Sequence, residues 1–294
     1  MSIPMDKIIT LASAPIKNAQ LDDDETLTEF GFFWRESGGV KVLVCRRLEA
    51  AGFVNGFSTR CGGVSPFPDG DLNLAGFDED LRENIAENRR RFLSALEAEL
   101  PIATGWQIHG DTINIVDSRD EAIDSTNKAD ALVSNVSGVL LGVKTADCVP
   151  ILLGDRNTNS FAAAHAGWRG TSLYIVKKAV LRMKELFGTE PSDLIAAIGP
   201  AACGRDYEIG REVMKAFAHL DDSEKYFRST REGHALVDLH AVNRDQLVEA
   251  GIGPDNIFIA PYCTMERTDL FFSYRREKME YGRTGRLLSV IGRR

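Results

Sequence analysis

Three apolar runs crowded between positions 138 and 171 constrain this chain more than any other feature in it. Runs 138–143 and 149–153 are continuous rather than alternating and rich in Val, Ile and Leu, the pattern of strands buried on both faces. Asp147 and Cys148 stand in the break between them, so a carboxylate and a thiol sit at a strand edge. A third run, 161–164, is built mostly of alanine and delivers His165 into Gly167, Trp168, Arg169 and Gly170, a strand running into a tight loop. Strands this close together and this apolar require cover on both sides. The expected fold is therefore α+β with α/β-like interleaving: one domain of mixed β-sheets flanked by helices.

Beyond that loop, Val176, Ala179, Val180, Met183 and Phe187 recur at helical spacing, with Thr171 or Ser172 as the expected cap. A loop ending at a helix N-terminus favours an anion, and Arg169 adds a permanently charged, forked donor. Cys148 and His165 are 17 residues apart on neighbouring predicted strands. They can meet at one metal, act as a thiol and base pair, or, for Cys148, simply fill a buried position as free cysteines usually do.

The chain's 294 residues, 44% of them hydrophobic, suffice for one large core. No run is long enough for a membrane span, and the first 20 residues carry Asp6, Lys7 and Lys17 without a signal-like apolar segment; a cytoplasmic protein is expected. Cys45, Cys61, Cys148, Cys203 and Cys263 are scattered, with no CxxC pair and no secreted disulfide spacing, so they are read as reduced thiols. A net charge of −8 with mixed signs argues against a nucleic-acid surface.

Residues 1–30 are expected to form an N-terminal extension, loosely held or adding a strand, and 31–294 the catalytic domain. A strand over 41–45 is followed by Arg60 at a glycine-rich turn, either an anion clamp or an ordinary exposed arginine. In the DLNL segment, Asn73 lies between two leucines and should face away from them. Residues 82–96 read as a scaffold helix. Residues 106–110 lead His109 into a strand over 112–116, and helices are expected at 208–220 and 238–250, the latter capped by Asp238. Strands at 194–198, 256–260 and 287–291 complete the body. The aromatic and basic run 271–276 (FFSYRR) either lines a pocket or alternates between core and surface.

Of five histidines, His109 and His165 stand at glycine-containing strand-to-loop transitions, whereas His219, His234 and His240 do not. Two imidazoles and one thiolate suit zinc, and three protein ligands leave a fourth position open. Spacings of 39 and 17 residues also permit a Cys148 nucleophile activated by His165 or His109.

The motifs GFSTRCGGVS (56–65), DLNL (71–74), QIHG (107–110), TADCVP (145–150), HAGWRG (165–170), GPAACGRDYEIG (199–210) and FFSYRR (271–276) run in consistent order over residues 53–291. Together they resemble the multicopper polyphenol oxidase, or laccase-domain, family. Its members have also been described as purine nucleoside phosphorylases with adenosine deaminase side activity, and some as the peptidoglycan editing factor. The resemblance implies one zinc per chain on His109, Cys148 and His165, with Arg60 and Asn73 near substrate. It further implies a cytosolic enzyme whose partners are a purine nucleoside (adenosine, inosine, guanosine or methylthioadenosine) and phosphate. A rival class is an amidase removing misincorporated L-serine from a UDP-MurNAc-type peptidoglycan precursor. The oxidase name fails on stoichiometry: a four-copper site needs on the order of ten imidazoles, and the chain has five, which disfavours copper.

Overall fold

A computed structural model describes residues 24–66, 70–75 and 80–294. Most of the expected extension, residues 1–23, lies outside the described residues; the chain is then helical in α1 (Asp24–Glu29). Next come β1 (Phe32–Ser37), β2 (Val40–Cys45), α2 (Arg46–Ala50), β3 (Val54–Ser58) and the scaffold helix α3 (Arg82–Ala95). Six strands of the middle follow: β4 (Ile102–Trp106), β5 (Ile113–Ile115), β6 (Asp124–Lys128), β7 (Ala131–Ser134), β8 (Val139–Thr145) and β9 (Val149–Asp155). Then come β10 (Ser160–Ala166), α4 (Trp168–Ser172), α5 (Ile175–Phe187), β11 (Ile195–Ile198), β12 (Glu208–Gly210) and α6 (Arg211–Ala216). The last part holds β13 (Phe227–Ser229), β14 (His234–Val237), α7 (Leu239–Glu249), β15 (Ile257–Ile259), α8 (Tyr274–Tyr281) and β16 (Leu287–Arg293).

The strands form a mixed seven-stranded sheet in the order β1-β2-β3-β16-β8-β4-β6 and a mixed six-stranded sheet in the order β15-β11-β9-β10-β7-β5. A small antiparallel sheet, β12-β14-β13, stands beside them. Side-chain alternation places the two large sheets face to face. On β9, Val149, Ile151 and Leu153 join a cluster with Val176, Val180 and Met183 of α5 and Val242 of α7. Leu152 points the other way and meets Leu141, Val143, Phe57 and Ile291 of the seven-stranded sheet. That sheet's outer face, with Val42, Leu140, Leu288 and Val290, packs on Phe92 of α3 and on Leu96 just beyond it. The order is helix, sheet, sheet, helix. The central strands are apolar on both faces because both faces are covered, and each fully buried aliphatic or aromatic side chain contributes about 1.5–3 kcal/mol.

Two local expectations are corrected. The segment 168–172 is not a loop capped by Thr171 or Ser172: both lie inside the short helix α4, and the longer α5 begins after Tyr174, whose φ of 62° makes a left-handed corner. The helix expected at 208–220 is shorter, because residues 208–210 pair with β14 and only Arg211–Ala216 is α-helical. Asp238 does cap α7, its carboxylate accepting the Ala241 N–H at 3.0 Å.

Candidate active site

The antiparallel pairing of β9 and β10 builds the centre. Its register sets His165 opposite Pro150 and Ala166 opposite Val149, so Cys148, one residue before β9, comes level with Gly167. His109 arrives from the loop between β4 and β5. His109, Cys148 and His165 thereby present ligand atoms that all lie within 4.8 Å of one another. The two imidazole rings stand edge to face, 4.9 Å between centroids. His165 is buried, Cys148 half-buried and His109 exposed, so the centre opens to solvent on the His109 side.

Sequence reasoning missed the residue that holds this centre together. Asp130, fully buried just before β7, accepts a hydrogen bond from His165 Nδ1 at 2.8 Å. The same carboxylate accepts the backbone N–H groups of Ile108 (3.2 Å), His109 (2.9 Å) and Gly110 (2.8 Å). One anion thus fixes the tautomer of one histidine, leaving Nε2 for the centre, and clamps the loop that carries the other. The clamp offsets a real cost, since His109 has φ 59°, a left-handed conformation worth roughly 1–3 kcal/mol of strain in a non-glycine residue. The only hint in the sequence is a lone acid in NKADALVS, entering an apolar run.

Glycine is required where the HAGWRG loop passes the centre. A Cβ on Gly167 would stand 3.0 Å from both Cys148 Sγ and His109 Cδ2, and one on Gly170 would stand 2.8 Å from the Gly110 carbonyl. Either would push the ligand loops apart.

The electrostatics favour a charged pair. Burial pushes the Cys148 thiol up, but the His165 charge and hydrogen bonds with both histidines outweigh it, and the thiol falls to about 6. Burial likewise disfavours a charged His165, yet Cys148 and Asp130 together raise it to about 9. Burial also opposes ionisation of Asp130, but His165 and the N–H groups of Gly110 and Ile108 hold it below the usual carboxylate range. With no metal bound, these shifts favour a Cys148 thiolate beside a His165 imidazolium, with the Asp130 carboxylate on its Nδ1; a metal would take the place of the Nε2 proton.

Asp147 belongs to a different structure. It also has positive φ, 84°, and its buried carboxylate accepts the Thr264 hydroxyl and the Arg275 N–H, both at 2.7 Å. Burial raises its pKa. It ties the Cys148 turn to Thr264 and to the start of α8. FFSYRR accordingly divides: Phe271 and Phe272 are core, Ser273 caps α8, and Arg275 bonds the Glu208 carbonyl at 2.8 Å and lies 5.0 Å from the Tyr207 ring centre. Burial, and then the charge of Cys148, push the Tyr207 hydroxyl up to about 12, so Tyr207 feels the charge of the centre.

The other expected substrate contacts fare differently. Arg60 is neither an exposed arginine nor a free clamp. It is buried between Asp71 (2.6 Å) and Glu277 (2.7 Å), donates to the Thr268 carbonyl and lies 4.6 Å from the Phe272 ring centre. Asn73, also buried, accepts the Arg286 N–H at 2.8 Å, and Asn88 holds its carbonyl. Neither side chain bonds His109, Cys148 or His165 in these contacts; Arg60 ties its turn to Asp71 and α8, and Asn73 ties the DLNL segment to α3 and to Arg286. Arg169 does reach solvent, stacked 4.4 Å from the Trp168 ring centre and loosely paired with Glu212 at 3.8 Å.

Fold and site together define a mixed-sheet α/β protein with a two-histidine, one-cysteine centre at the end of its inner strands. The family model for multi-copper polyphenol oxidoreductase laccase matches residues 54–294, and the chain belongs to that family. It is 39% identical over 237 residues to a purine nucleoside phosphorylase of Deinococcus radiodurans, covering 80% of this chain and 87% of the relative. It is 34% identical over 253 residues to the purine nucleoside phosphorylase YfiH of Escherichia coli K12, covering 85% and 98%. Among solved structures, YlmD from Geobacillus stearothermophilus superposes with a TM-score of 0.82 at 34% identity, over 90% of this chain and 99% of that one. The Bacillus licheniformis hypothetical protein YfiH gives 0.82 at 30% identity with the same coverage.

Proposed function

We propose that the chain is a zinc-dependent purine nucleoside phosphorylase that cleaves adenosine, inosine, guanosine or methylthioadenosine with phosphate and also deaminates adenosine. The observation that carries the proposal is the convergence of His109, Cys148 and His165 behind Asp130. The named relatives supply the substrate class. We assign catalysis to residues 31–294, the first 30 being an extension, and place the enzyme in the cytoplasm, which its free cysteines favour.

The donor set fits a zinc ion. His165 presents Nε2, Cys148 is a thiolate at neutral pH, and His109 completes three protein ligands, the number that leaves a position for substrate. Zinc held there supplies a Lewis acid at that open position. The chain's own groups do the rest. Asp130 keeps His165 oriented, Tyr207 offers a hydroxyl within electrostatic reach of Cys148 with Arg275 packed on its ring, and Arg169 at the rim offers a forked donor to phosphate.

Purified protein mixed with inosine and phosphate is expected to release hypoxanthine and ribose 1-phosphate. The release should stop on chelation and return with zinc. Release that ignores phosphate overturns phosphorolysis. Activity that survives chelation favours a second reading, because Cys148, His165 and Asp130 are also aligned as nucleophile, base and orienting acid. That arrangement suits an amidase acting on a serine-containing peptidoglycan precursor. The two are separated by iodoacetamide, which labels a catalytic thiolate at once but a zinc-bound one only after chelation.

A further inference from the structure

Cys203 and Cys263 look isolated in the sequence, 60 residues apart. The fold brings them together as two copies of one turn. In Cys203-x-x-Asp206 the Cys203 carbonyl accepts the N–H of Asp206 at 3.1 Å and of Tyr207 at 3.0 Å. In Cys263-x-x-Glu266 the Cys263 carbonyl accepts the N–H of Glu266 at 3.3 Å and of Arg267 at 3.0 Å. Each turn aims its cysteine and its acid to one side. A bridge from Ala201 to Cys263, with the Thr264 N–H bonded to the Ala201 carbonyl, lays the turns against each other. The four side chains then present ligand atoms all within 4.8 Å of one another.

From this geometry we propose that Cys203, Asp206, Cys263 and Glu266 form a second, four-ligand zinc site, separate from the His109 centre. A tetrahedral zinc with bonds of about 2.3 Å to sulfur and 2.0–2.2 Å to oxygen sets ligand sulfur and oxygen about 3.5–3.7 Å apart. The corresponding separations here are 3.4 Å for Cys203 to Asp206, 3.7 Å for Cys203 to Glu266 and 3.9 Å for Cys263 to Asp206.

Three further features point to a cation. The Cys203 N–H bonds Cys263 Sγ at 3.2 Å, the kind of contact that steadies a ligating thiolate. Arg276 donates to Asp206 Oδ1 at 3.4 Å and leaves Oδ2 toward the cysteines, while Arg205 forks onto both oxygens of Glu266 at 2.8 and 3.0 Å and fixes the carboxylate whose Oε1 faces Cys203. A metal ionises the thiols it binds, and the set then carries four negative charges against Arg205 and Arg276, a deficit that one divalent ion balances. Thiolates in the set select zinc over calcium or magnesium. A cleft lined by Cys203, Arg205, His240 and Cys263 provides entry.

Four protein ligands close the coordination, so the ion is structural. What it stabilises is the first centre's support. The Ala202 N–H bonds the Asp147 carbonyl at 2.9 Å and Thr264 bonds the Asp147 carboxylate, so both turns of the second site grip the residue beside Cys148.

The test uses the full chain, purified under reducing conditions, with and without zinc. Alkylation mapped by mass spectrometry is expected to be slowed by zinc by about tenfold or more at Cys203 and Cys263, while the half-exposed Cys61 labels at one rate throughout. Elemental analysis should give two zinc ions per chain, falling to one in the C203S/C263S variant. X-ray absorption of a zinc-loaded H109A/C148S/H165A variant should show two sulfur neighbours. Equal labelling with and without zinc, or a disulfide joining Cys203 to Cys263 in the reduced preparation, overturns the proposal. The alkylation map reports on single cysteines and the absorption spectrum on a variant that lacks the His109 centre, so a failure of that centre leaves both unaffected.

Discussion

Asp130→Asn is the sharpest perturbation of the centre, because it removes one charge and adds almost no volume. The carboxylate accepts four donors with two oxygens: Oδ1 takes His165 Nδ1 and the His109 N–H, and Oδ2 takes the N–H groups of Ile108 and Gly110. An asparagine offers one oxygen and one NH2, so two of the four donors must face another donor. If the NH2 replaces Oδ1, His165 is driven to the tautomer protonated on Nε2 and loses its ligating lone pair. If it replaces Oδ2, the loop carrying His109 loses its clamp. Each stranded buried donor costs about 1–3 kcal/mol, so the fold should lose about 2–6 kcal/mol. Loss of an outer partner of a metal-bound histidine typically weakens the metal 10–100-fold, about 1.4–2.7 kcal/mol. The assay is zinc competition against a chromophoric chelator, at a temperature where wild type and variant are both folded, with thermal melts of the zinc-free proteins alongside. Zinc affinity within about twofold of wild type, whatever the melts show, refutes the claim that Asp130 orients the ligands.

Gly167→Ala should weaken zinc binding with little change in the zinc-free melt, because its Cβ presses on Cys148 Sγ and His109 Cδ2 at 3.0 Å rather than on the core; zinc titration of the folded variant checks it. In zinc-free protein, iodoacetamide labelling of Cys148 should rise with a midpoint near pH 6, where a free cysteine gives about 8.5. The sign follows from the depressed folded value: the thiolate's stabilisation is complete above the unfolded pKa and is lost as pH falls through about 6, and His165→Gln should move the labelling midpoint up. Arg60→Met should cost about 3–5 kcal/mol by stranding buried Asp71 and Glu277, with no change in KM for phosphate. Arg169→Ala should do the reverse, raising KM for phosphate while the melting temperature holds, since its side chain is more than half exposed.

What could be read from the chain depended on how far apart the cause and its effect lie. The inner strands β8, β9 and β10 were legible because burial on both faces leaves a continuous apolar run, a local signature. Cys148 and His165 followed from them, since two strands so close in sequence pair as neighbours and carry their end residues to one edge. His109 was legible only as a histidine at a glycine-marked corner; its meeting with the others is made by β4, β5 and β7, whose pairings no local pattern records. Arg60 shows the limit in the other direction. A guanidinium at a glycine-rich turn has the same local look whether it faces water or two buried carboxylates, and Glu277 lies 217 residues away. Thr171 and Ser172 misled because both are good caps by type, while the left-handed corner at Tyr174 that starts α5 is set by packing. Asp130 and the Cys203–Cys263 cluster share one property: each gathers backbone or side-chain partners from segments more than 20 residues off, so their chemistry exists only once the sheets have formed. His109, Cys148 and His165 stand in sequence motifs, whereas Asp130, which clamps the His109 loop and bonds His165, stands outside them, and it is there that the structure adds most to what these residues can do.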